Sequence, residues 1–207
     1  MNQVMKYSAL ASKHEALGAV WMDLYGWRMP AQFTSAEGEA AQVRQGAGLA
    51  DLSWMTKLDV KGNGVPTVPQ LDEDAQTWVL GPLQRLLTCT PDRRDSVWGR
   101  LSALAGVYVT DMTSAFAQFL LAGPRAGDTL RKLTSLDVAA LPDRQCAQGG
   151  VAHVRAIVLR EDLGQLLAFH LLVGREYGES VWEAIAHSGL EFELSPFGAT
   201  AYELLRR

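Results

Sequence analysis

Leu120 to Asp137, LLAGPRAGDTLRKLTSLD, is the stretch that decides the fold. It reads as a strand, a tight turn through Gly123-Pro124, and a helix. Pro124 suits a turn or a first helical position, and Leu130, Leu133 and Leu136 recur at helical spacing. The reading predicts a strand over 116–122 and a helix over 124–134. A second unit of the same kind runs from Leu171 to Ile185.

Outward from this stretch, Leu86–Thr90, Ser96-Val97-Trp98 and Val107–Val109 align without a gap with His170–Gly174, Ser180-Val181-Trp182 and Glu191–Glu193, at an offset of 84 residues. Each set is strand, turn, Ser-Val-Trp helix, strand, and the tryptophan in each is expected to anchor helix on sheet. The halves differ in size. Gly62 to Leu87 is 25 residues and the matching Gly123 to Leu171 is 48, so the second half holds 23 more. That is enough for a helix and a strand. The fold class expected is α+β: duplicated strand–helix–strand halves, about 48–115 (shortened) and about 116–195, behind an N-terminal arm 1–47, all in a single domain of 207 residues.

The remaining segments complete the expectation. Ser8–Gly18 reads as a short helix with His14 partly exposed, and Met22–Pro30 as an ordered loop crowded with aromatics, Gly and Pro. Ser35 caps a helix to Gly46, with Glu37 and Glu39 in its first turns. Lys57–Lys61, Thr77–Leu80 and Arg85–Thr90 read as strands, Asp92–Ala105 as a helix and Val107–Thr110 as a strand. Cys146–Arg160 reads as two strands or one bent strand, Leu166–Val173 as a buried strand, Leu190–Leu194 as an edge strand, and the tail from Pro196 begins as a loop.

Composition bounds the function. Hydrophobic residues make up 48% of the chain, ample for a core, and a net charge of −4 argues against nucleic acid as a partner. No apolar run approaches the roughly 18 residues of a membrane helix. MNQVMKYSAL has no signal-peptide core, so a cytoplasmic location is expected. Cys89 and Cys146, without CxxC partners, read as buried thiols in a reducing compartment. His14, His153, His170 and His187 lie on different elements. His153 and His170 could be neighbours on adjacent strands. No HxxxH, GxSxG or GxGxxG is present.

Four motifs carry a family resemblance. Ala16-Leu17-Gly18-Ala19 with Asp23–Pro30 (DLYGWRMP) resembles the LGA…DFxGWxMP signature of the glycine-cleavage T-protein, an aminomethyltransferase. Val43-Arg44 with Gly48–Met55 (GLADLSWM) resembles its VR…GLFDVSHM, Leu121–Ala126 its LQGPKA turn, and Leu204–Arg206 its closing LR. The likeness covers the folate-binding portion, without the C-terminal barrel. Leu121–Ala126, Ser135–Asp137 and Phe169–Trp182 also resemble the γ subunit of heterotetrameric sarcosine oxidase.

The resemblance implies a tetrahydrofolate site between the halves, with a catalytic Asp in a GGxxDD-like stretch. That stretch falls in the missing segment, where only Asp72 and Asp74 lie in the interval. It implies a pterin-binding Glu in a TGExGFE-like motif. Here Leu163–His170 leaves Gln165 or Leu166 and His170 in place of both acids, and Gln165 could accept only one of the two hydrogen bonds that a carboxylate accepts. Met55, Trp54 (at the family's His), Asp51, Arg28, Gln165 and Arg206 are the candidate cofactor-binding residues, with Asp51 also a brace for its loop. Three functions stay open: an accessory subunit of one-carbon or methylamine metabolism beside a flavoprotein oxidase/dehydrogenase or a T-protein-like chain, a stand-alone folate-dependent C1 transferase, and an interaction module.

Overall fold

A computed structural model describes residues 4–68, 71 and 75–207. Asp72 and Asp74 lie outside the described residues. The chain forms two compact units, 1–53 with 116–207, and 54–115.

The first unit opens with β1 (Lys6–Tyr7), α1 (Ala11–Ala16), β2 (Val20–Leu24) and β3 (Trp27–Gln32). The stretch expected as a loop is a hairpin. β2 pairs antiparallel with β3 around Tyr25-Gly26, which take φ of 51° and 78°, the two left-handed residues of a type I′ turn. Pro30 sits opposite Trp21, where the register shifts, so its missing N–H breaks no regular ladder. Then comes α2 (Ala36–Gln45), capped by Ser35, whose hydroxyl accepts from the Gly38 N–H at 3.2 Å, and β4 (Gly48–Asp51).

The second unit holds β5 (Thr56–Lys61), β6 (Gln76–Gly81), β7 (Gln84–Cys89), α3 (Arg94–Ser102) and β8 (Tyr108–Asp111). Its sheet runs β6-β7-β5-β8, every neighbour antiparallel. Leu58, Val60, Leu87, Val97 and Leu101 form its core.

The chain returns to the first unit with β9 (Phe116–Ala122), α4 (Ala126–Arg131), β10 (Cys146–Val151), β11 (Val154–Arg160), β12 (Ala168–Gly174), α5 (Gly178–Ser188), β13 (Ser195–Pro196) and α6 (Ala199–Leu205). The six-stranded sheet runs β10-β11-β12-β9-β4-β13. One face carries Leu49, Phe119, Leu121, Phe169 and Leu171, which pack with Val181, Trp182 and Ile185 of α5.

Register makes the duplication visible. Thr56, six residues before Gly62, pairs with Cys89, and Ala117, six before Gly123, pairs with Val173. The two glycines are 61 apart in sequence and Cys89 and Val173 are 84 apart, so the halves match with 23 residues extra in the second (84 − 61). Past the second glycine the second half has α4 and then β10; among the described residues the first half has the 3-10 turn Val65–Thr67 in the place of α4. Gly62 and Gly123 both lie at left-handed φ, 123° and 116°. A Cβ on Gly123 would meet the Val43 carbonyl oxygen at 2.5 Å.

Several expectations change. Leu190–Leu194 is not a strand: Leu190–Phe192 is a 3-10 turn, Glu193 is left-handed, and only Ser195–Pro196 pairs, parallel to β4. The tail is helical. His153 sits in the β10–β11 turn at φ 66°, not beside His170. Cys146 is half-buried at the sheet edge. Trp182 is buried against Phe119, but Trp98 is only partly covered and lies under the Arg94 guanidinium, 5.3 Å from its ring centre.

Candidate functional site

Two polar clusters lie in the first unit, and each grows from an apolar frame. The first joins α1 to β4. His14 is fully buried, not partly exposed as expected, because the ring faces inward among Trp182, Phe33 and Trp21, with centroids 5.2, 5.7 and 6.3 Å away. Its Nε2 meets Asp51 Oδ2 at 2.9 Å, and Asp51 Oδ1 accepts from the Ser53 N–H at 2.9 Å. Burial opposes the Asp51 charge. The hydrogen bond and charge of His14, with hydrogen bonds from Ser53 and Ser8, outweigh it, so the carboxyl sits below the usual range. His14 Nδ1 is buried without a hydrogen-bond partner. A lone pair is cheaper to leave there than an N–H, which places the proton of a neutral ring on Nε2. Asp51 is the last residue of β4, not part of a loop, and ties that strand end to α1 through His14.

The second cluster lies on the sheet face away from α5. Leu120 pairs with His170, so Gln118 sits diagonal to it, and strand alternation turns Gln118 and His170 to the side opposite Phe119 and Leu171. Gln118 Nε2 lies 3.0 Å from His170 Nδ1, and His170 Nε2 lies 3.4 Å from Glu161 Oε2. Gln118 and His170 are 1% and 2% exposed, whereas the Glu161 side chain is 37% exposed. Burial raises the Glu161 carboxyl, but the hydrogen bond and charge of His170, then the charges of Arg144 and Arg206, hold it below the usual range. Arg206 follows α6, packs its guanidinium 5.3 Å from the Tyr202 ring centre and pairs with Glu203 at 3.3 Å. Burial pushes the Tyr202 phenol far up.

The other candidates lie apart in role. Arg28 pairs across the hairpin with Asp23 at 2.8 Å, and Gln165 is exposed in the turn before β12. Trp54 and Met55 belong to the 54–115 unit. Trp54 is buried, and the Met55 carbonyl accepts from Nζ of Lys57, a fully buried lysine, at 2.8 Å. Sequence reasoning passed over Lys57, Gln118 and Glu161. Gln118 was the one readable signal, a lone amide in the apolar strand FAQFLLA. Among the described residues, no three His, Cys, Asp or Glu converge as metal ligands.

The family model of the GCVT N-terminal domain matches residues 10–71 and 70–207. The chain belongs to the GCVT N-terminal domain family. This GCVT domain is 30% identical to an aminomethyltransferase of Geobacillus kaustophilus over 98% of its own length and 64% of the relative's. It is 29% identical to that of Moorella thermoacetica over 98% and 63%. It thus spans somewhat less than two thirds of these relatives. Among solved structures, the glycine cleavage system aminomethyltransferase T of Bartonella henselae matches at a TM-score of 0.81 and 18% identity, covering 98% of this chain and 62% of that one. A chain of the heterotetrameric sarcosine oxidase of Corynebacterium sp. U-96 matches at 0.59 and 17%, covering 77% and 93%. The GCVT domain thus carries the expected T-protein fold, and no helix among the described residues is long and apolar enough to cross a membrane.

Proposed function

We propose that this GCVT domain, 1–207 as one functional unit of two pseudo-repeats, is an accessory, non-catalytic subunit of a larger complex in one-carbon or methylamine metabolism, of the glycine or sarcosine type. One observation carries the reading. The family model matches in two pieces that meet at residues 70–71, inside the interval where the first half is 23 residues short (48 − 25). The Geobacillus alignment agrees. It runs over 232 positions for about 203 residues of this chain (98% of 207), so the relative carries close to 29 residues that have no counterpart. In a T-protein-like chain this is the interval assigned to the catalytic Asp, and with it goes C1 transfer to tetrahydrofolate.

A fold likeness supports a subunit role: 77% of this chain matches 93% of a chain of the heterotetrameric sarcosine oxidase. The partner expected is a flavoprotein oxidase or dehydrogenase, or a second T-protein-like chain. Of the residues proposed toward a folate, Asp51, Arg28 and Arg206 are engaged by His14, Asp23 and Glu203. Met55, Trp54 and Gln165 offer no carboxylate, so folate binding is at most weak.

Affinity purification of the tagged chain from its own cells tests the reading. Stoichiometric recovery of a flavin-bearing partner is the expected result. A purified chain that alone moves a C1 unit from an aminomethyl donor to tetrahydrofolate overturns it in favour of the stand-alone transferase.

A further inference from the structure

The helix-covered face of the six-stranded sheet holds a cleft of about 290 Å³, lined by none of the candidate cofactor-binding residues. Asp128 and Arg131 of α4 give one wall, and Val138 and Ala139, in the segment before β10, give another. Leu167, Phe169 and Arg160, the last residue of β11, complete it. Phe169 packs into the core on the α5 side, and strand alternation turns its neighbour His170 to the other face. The cleft therefore lies across the sheet from the Gln118–His170 cluster.

Charge decides what the cleft can take. Its walls carry two guanidinium groups, Arg131 and Arg160, and one carboxylate, Asp128. Asp128 is already doubly paired, with Arg131 and, at 2.9 Å, with Arg125, so it draws no further cation. Arg160 is 22% exposed. It gives Nε and Nη2 to Asp162 at 3.1 and 2.9 Å, and Nη1 to the Leu141 carbonyl at 2.7 Å. A guanidinium has five N–H groups, so one remains on each terminal nitrogen. Two N–H groups on neighbouring nitrogens suit the two oxygens of a carboxylate. The bonds already made hold the Arg160 fork still and tie the 138–141 segment to β11, so the cleft is formed before a ligand arrives.

We infer that this cleft is a binding site for a small apolar carboxylate, its oxygens on Arg160 and its hydrocarbon against Val138, Leu167 and Phe169. The volume lies near the lower end of ligand pockets, which suits one ring or one branched chain and is too small for a nucleotide. Benzoate is the probe, added to the full chain with 13C-labelled leucine and valine methyls. The methyl signals of Val138 and Leu167, assigned by their loss in Val138→Ile and Leu167→Ile, are expected to move and to saturate with a Kd of about 1 mM or tighter. Acetate lacks the ring and benzylamine reverses the charge, and each is expected to bind about tenfold more weakly or worse. No saturable movement of either methyl, or benzylamine binding as well as benzoate, overturns the proposal.

Two variants place the ligand. Ala139 is exposed on its wall, so Ala139→Phe fills the cleft without touching a charge or the core. Arg160→Lys keeps the charge and removes the fork. Each is expected to weaken benzoate about tenfold or more, and an unchanged affinity in Ala139→Phe overturns the proposal. The comparison of benzoate with benzylamine uses the unmodified chain and decides the matter even where a variant does not fold. None of these readouts involves a folate, a partner or turnover. Their failure therefore leaves the accessory-subunit reading standing, and a missing flavoprotein leaves this inference standing.

Discussion

Glu39 illustrates how much one buried side chain organises. Its Oε1 accepts from the N–H groups of Phe33 and Thr34 at 2.6 and 2.8 Å, and its Oε2 from Gly198 at 2.8 Å. One carboxylate at 1% exposure thus joins the start of α2 to the segment entering α6. Glu39→Ala leaves three N–H groups without an acceptor and is expected to cost about 3 kcal/mol in urea unfolding. Asp51 sets an acid limit. Its folded-state value lies below the unfolded one, so its stabilisation is present above about pH 4 and is lost as pH falls through the lower folded value. Melting temperature between about pH 4 and pH 2 should therefore fall more steeply in the parent than in Asp51→Asn, which has no carboxyl to protonate.

Elements differed in how well local signals announced them. β9 falls on 116–122 as expected, because six apolar or small residues around Gln118 end at a glycine that only a left-handed turn explains. α2 was equally plain from its Ser35 cap. The β2–β3 hairpin was not. Tyr25-Gly26 lacks the Asn-Gly or Asp-Gly pair that marks a type I′ turn, and Pro30 argued against a strand. A tyrosine at φ 51° is strained, so Tyr25→Asn is expected to stabilise the protein by about 0.5 kcal/mol, read as a higher urea midpoint at unchanged slope. The clusters were harder still. His14 meets Asp51 across 37 residues and Gln118 meets His170 across 52, pairings set by sheet order and not by any local pattern.

At the scale of the whole molecule, the duplication was legible because both copies keep their strand–helix anchor. Val97 and Val181 hold equivalent places on α3 and α5, at 0% and 1% exposure. Val97→Ala and Val181→Ala are each expected to cost about 1–3 kcal/mol. A cost at one site only would mean that the helices no longer do the same job. The 23-residue difference between the halves was countable for the same reason, since intact flanks give the count its two ends. The division into units 1–53 with 116–207 and 54–115 was not legible, because residues far apart in sequence share one core.

That division also leaves the molecule with a chemical clock and its reference. Each unit owns one thiol, Cys89 in 54–115 and Cys146 in the other. Burial raises both thiols, Cys89 up to about 11 in the core of its sheet and Cys146 where it lies half-buried on an edge strand. A thiolate reagent should therefore mark Cys146 from the native state and Cys89 only when its unit opens. The Cys89 rate would then time the opening of the 54–115 unit, with Cys146 of the same unmodified protein as the native-state reference.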